Sequence, residues 1–511
     1  MPSLSDDPTR HVIIDRRDGQ YMAFPDVIRS AHGRLVVVYN EMDKHVRPDR
    51  RVAVVRFSDD NGRTWSDPIY PDSRRSHCPR LLRFPDGAIL LSDSSHIFHT
   101  SRDNGETWTP FKASGLTRDM LDRVLDLDDD GYLITGHSHI GDEEHPAIRQ
   151  PPTEQTVFRS MDRGHTWNET SILAAHRNLV LCEASMTRLP DGRIVALMRE
   201  NSFVFEPMYA CLSEDNGRTW SSPVPTPLIG HRPTMGRIPD GRLMVTYRNV
   251  GPDWGTNAWL GTLDDLLSGY RVHGRAADPT NPTFTPDGMR VHNEEGKLSV
   301  VRYALRPLTD PRTATASLEA EVKVDAADTN GCAIRMGVWW RLQPDAIKPD
   351  GDESPPIAMT PGFNTIRLDY AAGRVSLFIN GEEQTTIEVD DDHADTRPII
   401  FGAPYPFEEN SVDCTWKRVS LNVVEPAYER AYTWQWNAED GLPDQWVRDH
   451  MLELRNDRHA AAPDFGYSGW AMLDDTHFFC AYHHGGGAEE DYEPLHSAHI
   501  AGTWFSLNDF K

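Results

Sequence analysis

The side chains able to do acid–base or nucleophilic chemistry recur at the ends of apolar strand-like runs, not in one contiguous motif. Those positions hold Tyr21, His77 and Arg80, Glu183 and Arg199, His231, Arg232 and Arg248, then Tyr467, His483 and His484. A tyrosine hydroxyl, with a pKa of about 10, is a weak nucleophile and needs an adjacent base such as a carboxylate. Arginines suit the grip of an anionic group, and histidines suit proton transfer near neutral pH. His137, His139 and Tyr482 extend this His- and Tyr-rich set. Metal chemistry finds little support. His137-Ser138-His139 stands alone, no H-E-x-x-H occurs, and none of the six cysteines forms a CxxC pair. Neither a metal nor a cofactor is expected.

A repeat supplies the elements that would bring these residues together. The pattern S-x-D-x-G-x-x-W occurs four times, at Ser58-Asp60-Gly62-Trp65, Ser101-Asp103-Gly105-Trp108, Ser160-Asp162-Gly164-Trp167 and Ser213-Asp215-Gly217-Trp220. Its physics is that of a hairpin turn. The Asp accepts bonds from turn N–H groups, Gly takes the positive φ, and Trp packs between sheets. A second set of hairpins interleaves with it, turning at Gly33, Asp86-Gly87, Asp130-Gly131, Asp191-Gly192, Asp240-Gly241 and Asp474-Asp475. Six inner hairpins, each with an outer one, are what six four-stranded blades need. The expected fold is an all-β, six-bladed β-propeller.

The repeat stops from about residue 285 to 426. Alternating strands at 318–324, 333–340, 366–370 and 375–379, the last ending at Asn380-Gly381, predict a separate β-sandwich there. The expected organisation is therefore 1–284 for blades 1–5, 285–426 for the insertion, and 427–511 for the end of blade 5 and blade 6. Blade 5 is expected to resume at 432–436. The run "FNTIRLDYAAGRVSLFINGEEQ" resembles the laminin-G and concanavalin-like jelly-roll, which implies either a glycan-binding role or a purely structural one.

Composition limits the function. Across 511 residues the hydrophobic fraction is 38% and the formal net charge is −26. That sign repels nucleic acid and anionic membranes, so neither is an expected partner. No apolar run of about 18 residues appears, and residues 1–10 lack a secretory signal pattern, so a cytoplasmic location is expected, or a secreted one if a leader has been trimmed away. Cys332 and Cys414 are candidates to pair if the protein is exported.

The four repeats match the Asp-box of the sialidase superfamily, and the resemblance covers roughly residues 15–270 and 427–511. It implies residue roles. "FGYSGWAML" resembles the start of the last sialidase blade, which makes Tyr467 the nucleophile. "LCEASMTRLPDGRIVALMRE" makes Glu183 its partner base and Arg199 an arginine that grips the substrate carboxylate. The general acid would be Asp49, or second Asp43, in "NEMDKHVRPDRRVAVV". One motif departs from the family. Where sialidases carry Y-R-I-P with a carboxylate-binding arginine, this chain has "YMAFPD". Arg248, Arg232 and Arg80 would have to compensate, and the sugar could be a uronic acid or a neutral one.

The resemblance implies an exo-acting, retaining glycoside hydrolase cleaving a terminal acidic sugar from a glycan. Sialidases depart from the usual two-carboxylate scheme by using a Tyr nucleophile. Two other readings stay open: a propeller lyase or non-sialic glycosidase using His77 or His231 with a tyrosine, and a non-catalytic glycan-binding protein. Bland roles also stay open for single residues. Arg199 and Arg248 could pair with Glu200 or Asp253, Asp49 could be a solvated partner of Arg47, Arg50 or Arg51, and the acidic run 489–493 could be solvated surface.

Overall fold

The computed structural model describes residues 1–510 apart from 72–75, 119, 141–150, 177, 202–205, 252–253, 277–280, 295–300, 352–354, 390–397, 405–409, 457–463 and 486–495. Six small antiparallel sheets follow one another around a common axis. Blade 1 holds Tyr21–Arg29, Leu35–Met42 and Arg51–Ser58, with a bridge from Val55 to Ile69 in place of a fourth strand. Blade 2 holds Arg80–Arg83, Ile89–Ser92, Ile97–Ser101 and Thr109–Lys112. In blade 3 the inner strand is broken into Met120–Leu121 and Leu125–Asp126, followed by Tyr132–His139, Thr153–Ser160 and Asn168–Ala175. Blade 4 holds Leu181–Arg188, Ile194–Glu200, Tyr209–Ser213 and Val224–Pro225.

Blade 5 begins with Gly230–Arg237, Leu243–Asn249 and Gly255–Gly261, and its fourth strand is Met451–Asn456. Blade 6 takes Asp464–Met472, His477–Gly485 and His499–Ser506 from the end of the chain and His11–Asp15 from its beginning. The ring therefore closes on hydrogen bonds between strands nearly 500 residues apart. A cavity of about 550 Å³ marks the axis. It is lined from all six blades, by Ile28, Leu82, Val124, Met186, Met235 and Ala471 among others.

Each Asp-box forms the turn its residues predict. Asp60 accepts from the Ser58 hydroxyl (2.7 Å) and the Thr64 backbone N–H (2.9 Å). The Ser58 Oγ accepts from Gly62 N–H (2.8 Å), and Trp65 Nε1 donates to Gly62 O (3.0 Å). The same bonds recur around Asp103 and Asp162. The box packs against the preceding blade. A Cβ on Gly62, at φ 93°, would meet the Phe479 ring of blade 6 at 2.9 Å. Trp65 lies in the core cluster that Phe479 shares with Val37 of blade 1.

Between Gly261 and Met451 the chain leaves blade 5 and builds two further antiparallel sheets. One contains His273–Ala276, Val301–Pro307, Pro398–Gly402, Ala333–Met336 and Val338–Gln343. The other contains Gly288–Asn293, Val412–Glu425, Thr315–Ala327, Phe363–Ala371 and Arg374–Ile379. Side chains from both sheets meet in one core, with Tyr303, Phe401 and Trp340 opposite Leu318, Ile366 and Trp416. The Cys332 and Cys414 thiols are free and buried.

One sequence expectation is corrected here. The strand at 432–436 does not resume blade 5. It is part of Arg430–Asn437, which pairs along its length with Val412–Glu425. A period-two alternation reads the same in either sheet, so the local pattern could not name the partner strand. His273–Ala276 likewise pairs with Val301–Pro307, ahead of the expected boundary at 285.

Glu206 fastens this unit to the propeller, and Glu425 completes the ion cluster from within the unit. Glu206, just ahead of the third strand of blade 4, accepts from Arg430 (2.7 Å), Arg306 (3.2 Å) and the Tyr209 hydroxyl (2.7 Å). Glu425 accepts from the same two arginines, at 2.8 Å each, and from Thr309 N–H (2.7 Å). Both carboxylates are at most 1% exposed.

Candidate active site

The inner strands share a local irregularity that aims side chains at the axis. Pairing with the second strand slips at Ala23/Asp26, Cys182/Ser185, His231/Thr234 and Phe465/Ser468. Within these bulges Phe24, Glu183, Arg232 and Gly466 take φ of 61°, 51°, 50° and 79°, and Cys78 of blade 2 has φ 51°. A bulge re-aims side chains, and each non-glycine residue held in the left-handed region costs about 1–2 kcal/mol. Only glycine fits in blade 6, because a Cβ at Gly466 would meet Arg248 Cα at 2.8 Å. The strain is therefore repeated around the ring at the residues facing the axis.

Tyr467, Arg199 and Glu183 meet there. Arg199 Nη1 donates to the Tyr467 hydroxyl (2.7 Å) and to Glu183 Oε2 (2.9 Å). Tyr467 and Glu183, 284 positions apart, are thus joined through one guanidinium nitrogen, not by a direct hydrogen bond. All three side chains are buried. Arg199 Nη2 is held by Asn201. Arg232 lies beneath them, 2% exposed, with Nη1 3.2 Å from Asp122 Oδ1 and 3.8 Å from Glu183 Oε1.

Charge sets the protonation states. Burial pushes the Glu183 carboxyl up, but Arg199 and Arg232 outweigh it and bring its pKa down to about 2. Burial pushes the Tyr467 hydroxyl up to about 12, against the opposing pull of Arg199. The resting site therefore holds a neutral tyrosine beside an ionised glutamate. Asp122 accepts from Thr135 (2.8 Å), Gln155 (2.7 Å) and Ala184 N–H (3.0 Å), yet burial still lifts it to about 6, against Arg232.

The other expected residues divide. Arg248 is half-buried, with its guanidinium 5.9 Å from the centroid of the Tyr467 ring and 5.1 Å from that of Phe465. It makes no hydrogen bond or ion pair with any described residue. His77 packs its ring on Phe24 (5.4 Å), and burial with the adjacent Arg51 and Arg232 lowers its pKa to about 3. His137 is lowered to about 4 by burial. His231 sits opposite Arg248 in the blade 5 hairpin, and burial holds it well below the ordinary range.

Five expected residues fall outside this cluster. Arg80 is 4% exposed and donates to Pro25 O, so it braces blade 1. Tyr482 bonds to Thr503 (2.9 Å) between the strands of blade 6, and His139 bonds to Pro151 O (2.8 Å). Asp49 is not brought to the site. Its side chain is 89% exposed and 3.4 Å from Lys44, because the loop turns it outward among its basic neighbours. Asp43 is spent on the Arg50 backbone N–H (3.1 Å).

Residues 90–251 match the family described as the BNR repeat-like domain. That match spans blades 2 to 5 of a six-bladed β-propeller. No curated protein matches the chain significantly. Among solved structures it is similar to a Dyadobacter fermentans protein of unknown function, at 15% identity over 97% of this chain and 98% of that one, with a TM-score of 0.49. It is also similar to Trypanosoma rangeli sialidase in complex with sialic acid, at 12% identity over 80% and 83%, TM-score 0.34. A third is Lactobacillus gasseri sucrose-6-phosphate hydrolase, at 11% identity over 80% and 92%, TM-score 0.34.

In this propeller Phe24 stands at the bulge of blade 1, the strand in which sialidases carry an arginine. Its ring contacts Tyr467 (5.2 Å), His77, His45 (5.7 Å) and His483 (5.9 Å). Sequence reasoning missed Asp122, Asn201, His45 and Asp464. Asp122 lies on the broken inner strand of blade 3, which gives no alternating signal. The other three lie at strand ends or in loops, where only the closed ring defines their neighbours. Among the described residues no helix is long and apolar enough to cross a membrane.

Proposed function

We propose that this propeller is an exo-acting glycoside hydrolase for a terminal acidic sugar, with Tyr467 as nucleophile. The observation that carries the reading is Arg248, an unpaired, half-buried cation over the ring of a tyrosine whose hydroxyl adjoins the Arg199–Glu183 pair. An unpaired, half-buried cation in a chain with net charge −26 suits an anionic ligand. Arg248 and Arg199 would hold the acidic group, and Tyr467 would attack the anomeric carbon as its proton passes to Glu183.

The basicity problem has a physical answer in the same pair. Glu183 at about 2 is a poor base for a hydroxyl at about 12 while Arg199 and Arg232 hold it. A substrate carboxylate that draws Arg199 to itself removes the strongest of those restraints, and the charge developing on the tyrosine falls next to the same guanidinium. Phe24 supports a sugar other than sialic acid, since it puts an apolar ring where sialidases carry an arginine.

Aryl glycosides of sialic, glucuronic and galacturonic acids test the reading. Wild-type protein should release the aryl group from one of them, and Tyr467→Phe should lower kcat at least about 10³-fold with the fold intact. Full activity in that variant would remove the nucleophile assignment. An ultraviolet-absorbing unsaturated uronate in place of a hydrolysed sugar would make the enzyme a lyase.

A further inference from the structure

The loop after the second strand of blade 1 delivers an imidazole to the site where the family pattern leads one to expect a carboxylate. We propose that His45 is the general acid and base of the reaction, oriented by Asp464. The inference rests on the hydrolase reading above and supplies the group which that reading lacks.

His45 Nδ1 lies 2.7 Å from Asp464 Oδ2 and 2.5 Å from the Tyr21 hydroxyl. Tyr21 donates to the same Asp464 oxygen, and His483 Nε2 is 3.3 Å from the other. Asp464 is 2% exposed. Burial pushes its carboxyl up, but the bonds from His45 and His483 outweigh that and hold it well below the carboxylate range. An ionised, buried carboxylate accepting Nδ1–H fixes the ring orientation, as the aspartate does for the histidine of a hydrolytic triad.

The other nitrogen, Nε2, makes no hydrogen bond with any described residue, and the His45 side chain is 25% exposed. The ring rests on Phe24, which also touches Tyr467. A proton-active nitrogen therefore faces open space beside the nucleophile. The neighbouring histidines do not offer this. His77 is lowered to about 3 and stays neutral, and His483 is fully buried. Asp49 and Asp43 on the same loop are turned away.

The proton balance closes over two steps. Tyr467 oxygen bonds to the anomeric carbon while its proton passes to Glu183. The bond from that carbon to the leaving oxygen breaks, and the oxygen takes the Nε2 proton of the His45 imidazolium. Water then attacks the same carbon and gives a proton to neutral His45. The released Tyr467 oxygen recovers its proton from Glu183. No further reactant is needed.

A general acid matters most for a poor leaving group. The test compares the 4-nitrophenyl and methyl glycosides of whichever sugar acid the wild-type enzyme hydrolyses. His45→Asn and His45→Gln should lower kcat about 10²–10³-fold on the methyl glycoside and less than tenfold on the nitrophenyl one. Asp464→Asn should shift the same ratio in the same direction by a smaller factor, which a purely structural role would not do. Equal losses on both glycosides in folded His45 variants would overturn His45 and leave the Tyr467 reading standing. If the wild type turns over none of the panel, the hydrolase reading falls and this assignment falls with it.

Discussion

Replacing Glu206 by Gln should destabilise the protein by about 3–5 kcal/mol, the range for removing one partner of a buried pair. The structure fixes the reason. Arg306 and Arg430 are 6% and 17% exposed, and Glu206 and Glu425 are their two counter-ions in the contact between blade 4 and the inserted sheets. Removing the charge of one leaves two guanidinium groups facing a single carboxylate out of reach of water. The amide also meets donors from Arg430, Tyr209 and Thr309 with only one acceptor atom. Urea unfolding followed by tryptophan fluorescence measures the change at constant m. Glu321→Gln is the control. Glu321 is 25% exposed and pairs with Arg418 at 49% exposure, so the loss should stay below about 1 kcal/mol. A Glu206→Gln loss under 1 kcal/mol, equal to the control, would refute the claim that this contact is a buried and mutually dependent ion cluster. The pH dependence follows the same sign. Arg430 and Arg306 bring Glu206 to about 2 despite burial, so its contribution is complete above about pH 4.5 and fades as pH falls through 2.

Two further outcomes are expected. Asp103→Ala should cost about 1–2 kcal/mol, since the Asp103 side chain accepts from Ser101, from Thr107 N–H and from the Thr107 hydroxyl. Because that turn lies on the rim of blade 2, kcat on any substrate should be unchanged, which calorimetry and a turnover assay check together. Acid should also weaken the fold. His77 and His137, lowered to about 3 and 4, stay neutral in the native state while the unfolded chain takes up protons below pH 6.5. Unfolding then binds up to two extra protons and stability falls from about pH 6.5 to 4, a slope that His77→Gln should flatten in urea titrations at several pH values.

The architecture was legible because its signals are local and repeated. A Ser, an Asp, a Gly and a Trp at fixed spacing specify a turn whatever surrounds them, and four copies announce a ring. Tyr467, Glu183 and Arg199 were legible for a related reason: each lies on a hairpin strand whose order in the ring follows from the repeats. Asp49 was misplaced because the family pattern names a loop, and a loop does not dictate which of its side chains turns inward. His45, four positions earlier, does so because Asp464 and Tyr21 offer its ring partners, and those lie in blade 6 and on the inner strand of blade 1. The strand Arg430–Asn437 was misassigned for the opposite cause, since its alternation was clear and its partner was not encoded nearby. Asp122 was invisible because its strand is too short and broken to alternate.

The shared last blade dictates when the proposed site can exist. As the protein leaves the ribosome, His11–Asp15 emerges early and must wait, unpaired, until His499–Ser506 follows at the far end. Until then Phe24 has no Tyr467 to touch and His45 has no Asp464 to orient it. Every nascent chain therefore lacks the proposed site until residue 506 has emerged, and a product stalled or clipped before residue 464 would carry the earlier blades with an open gap where blade 6 belongs.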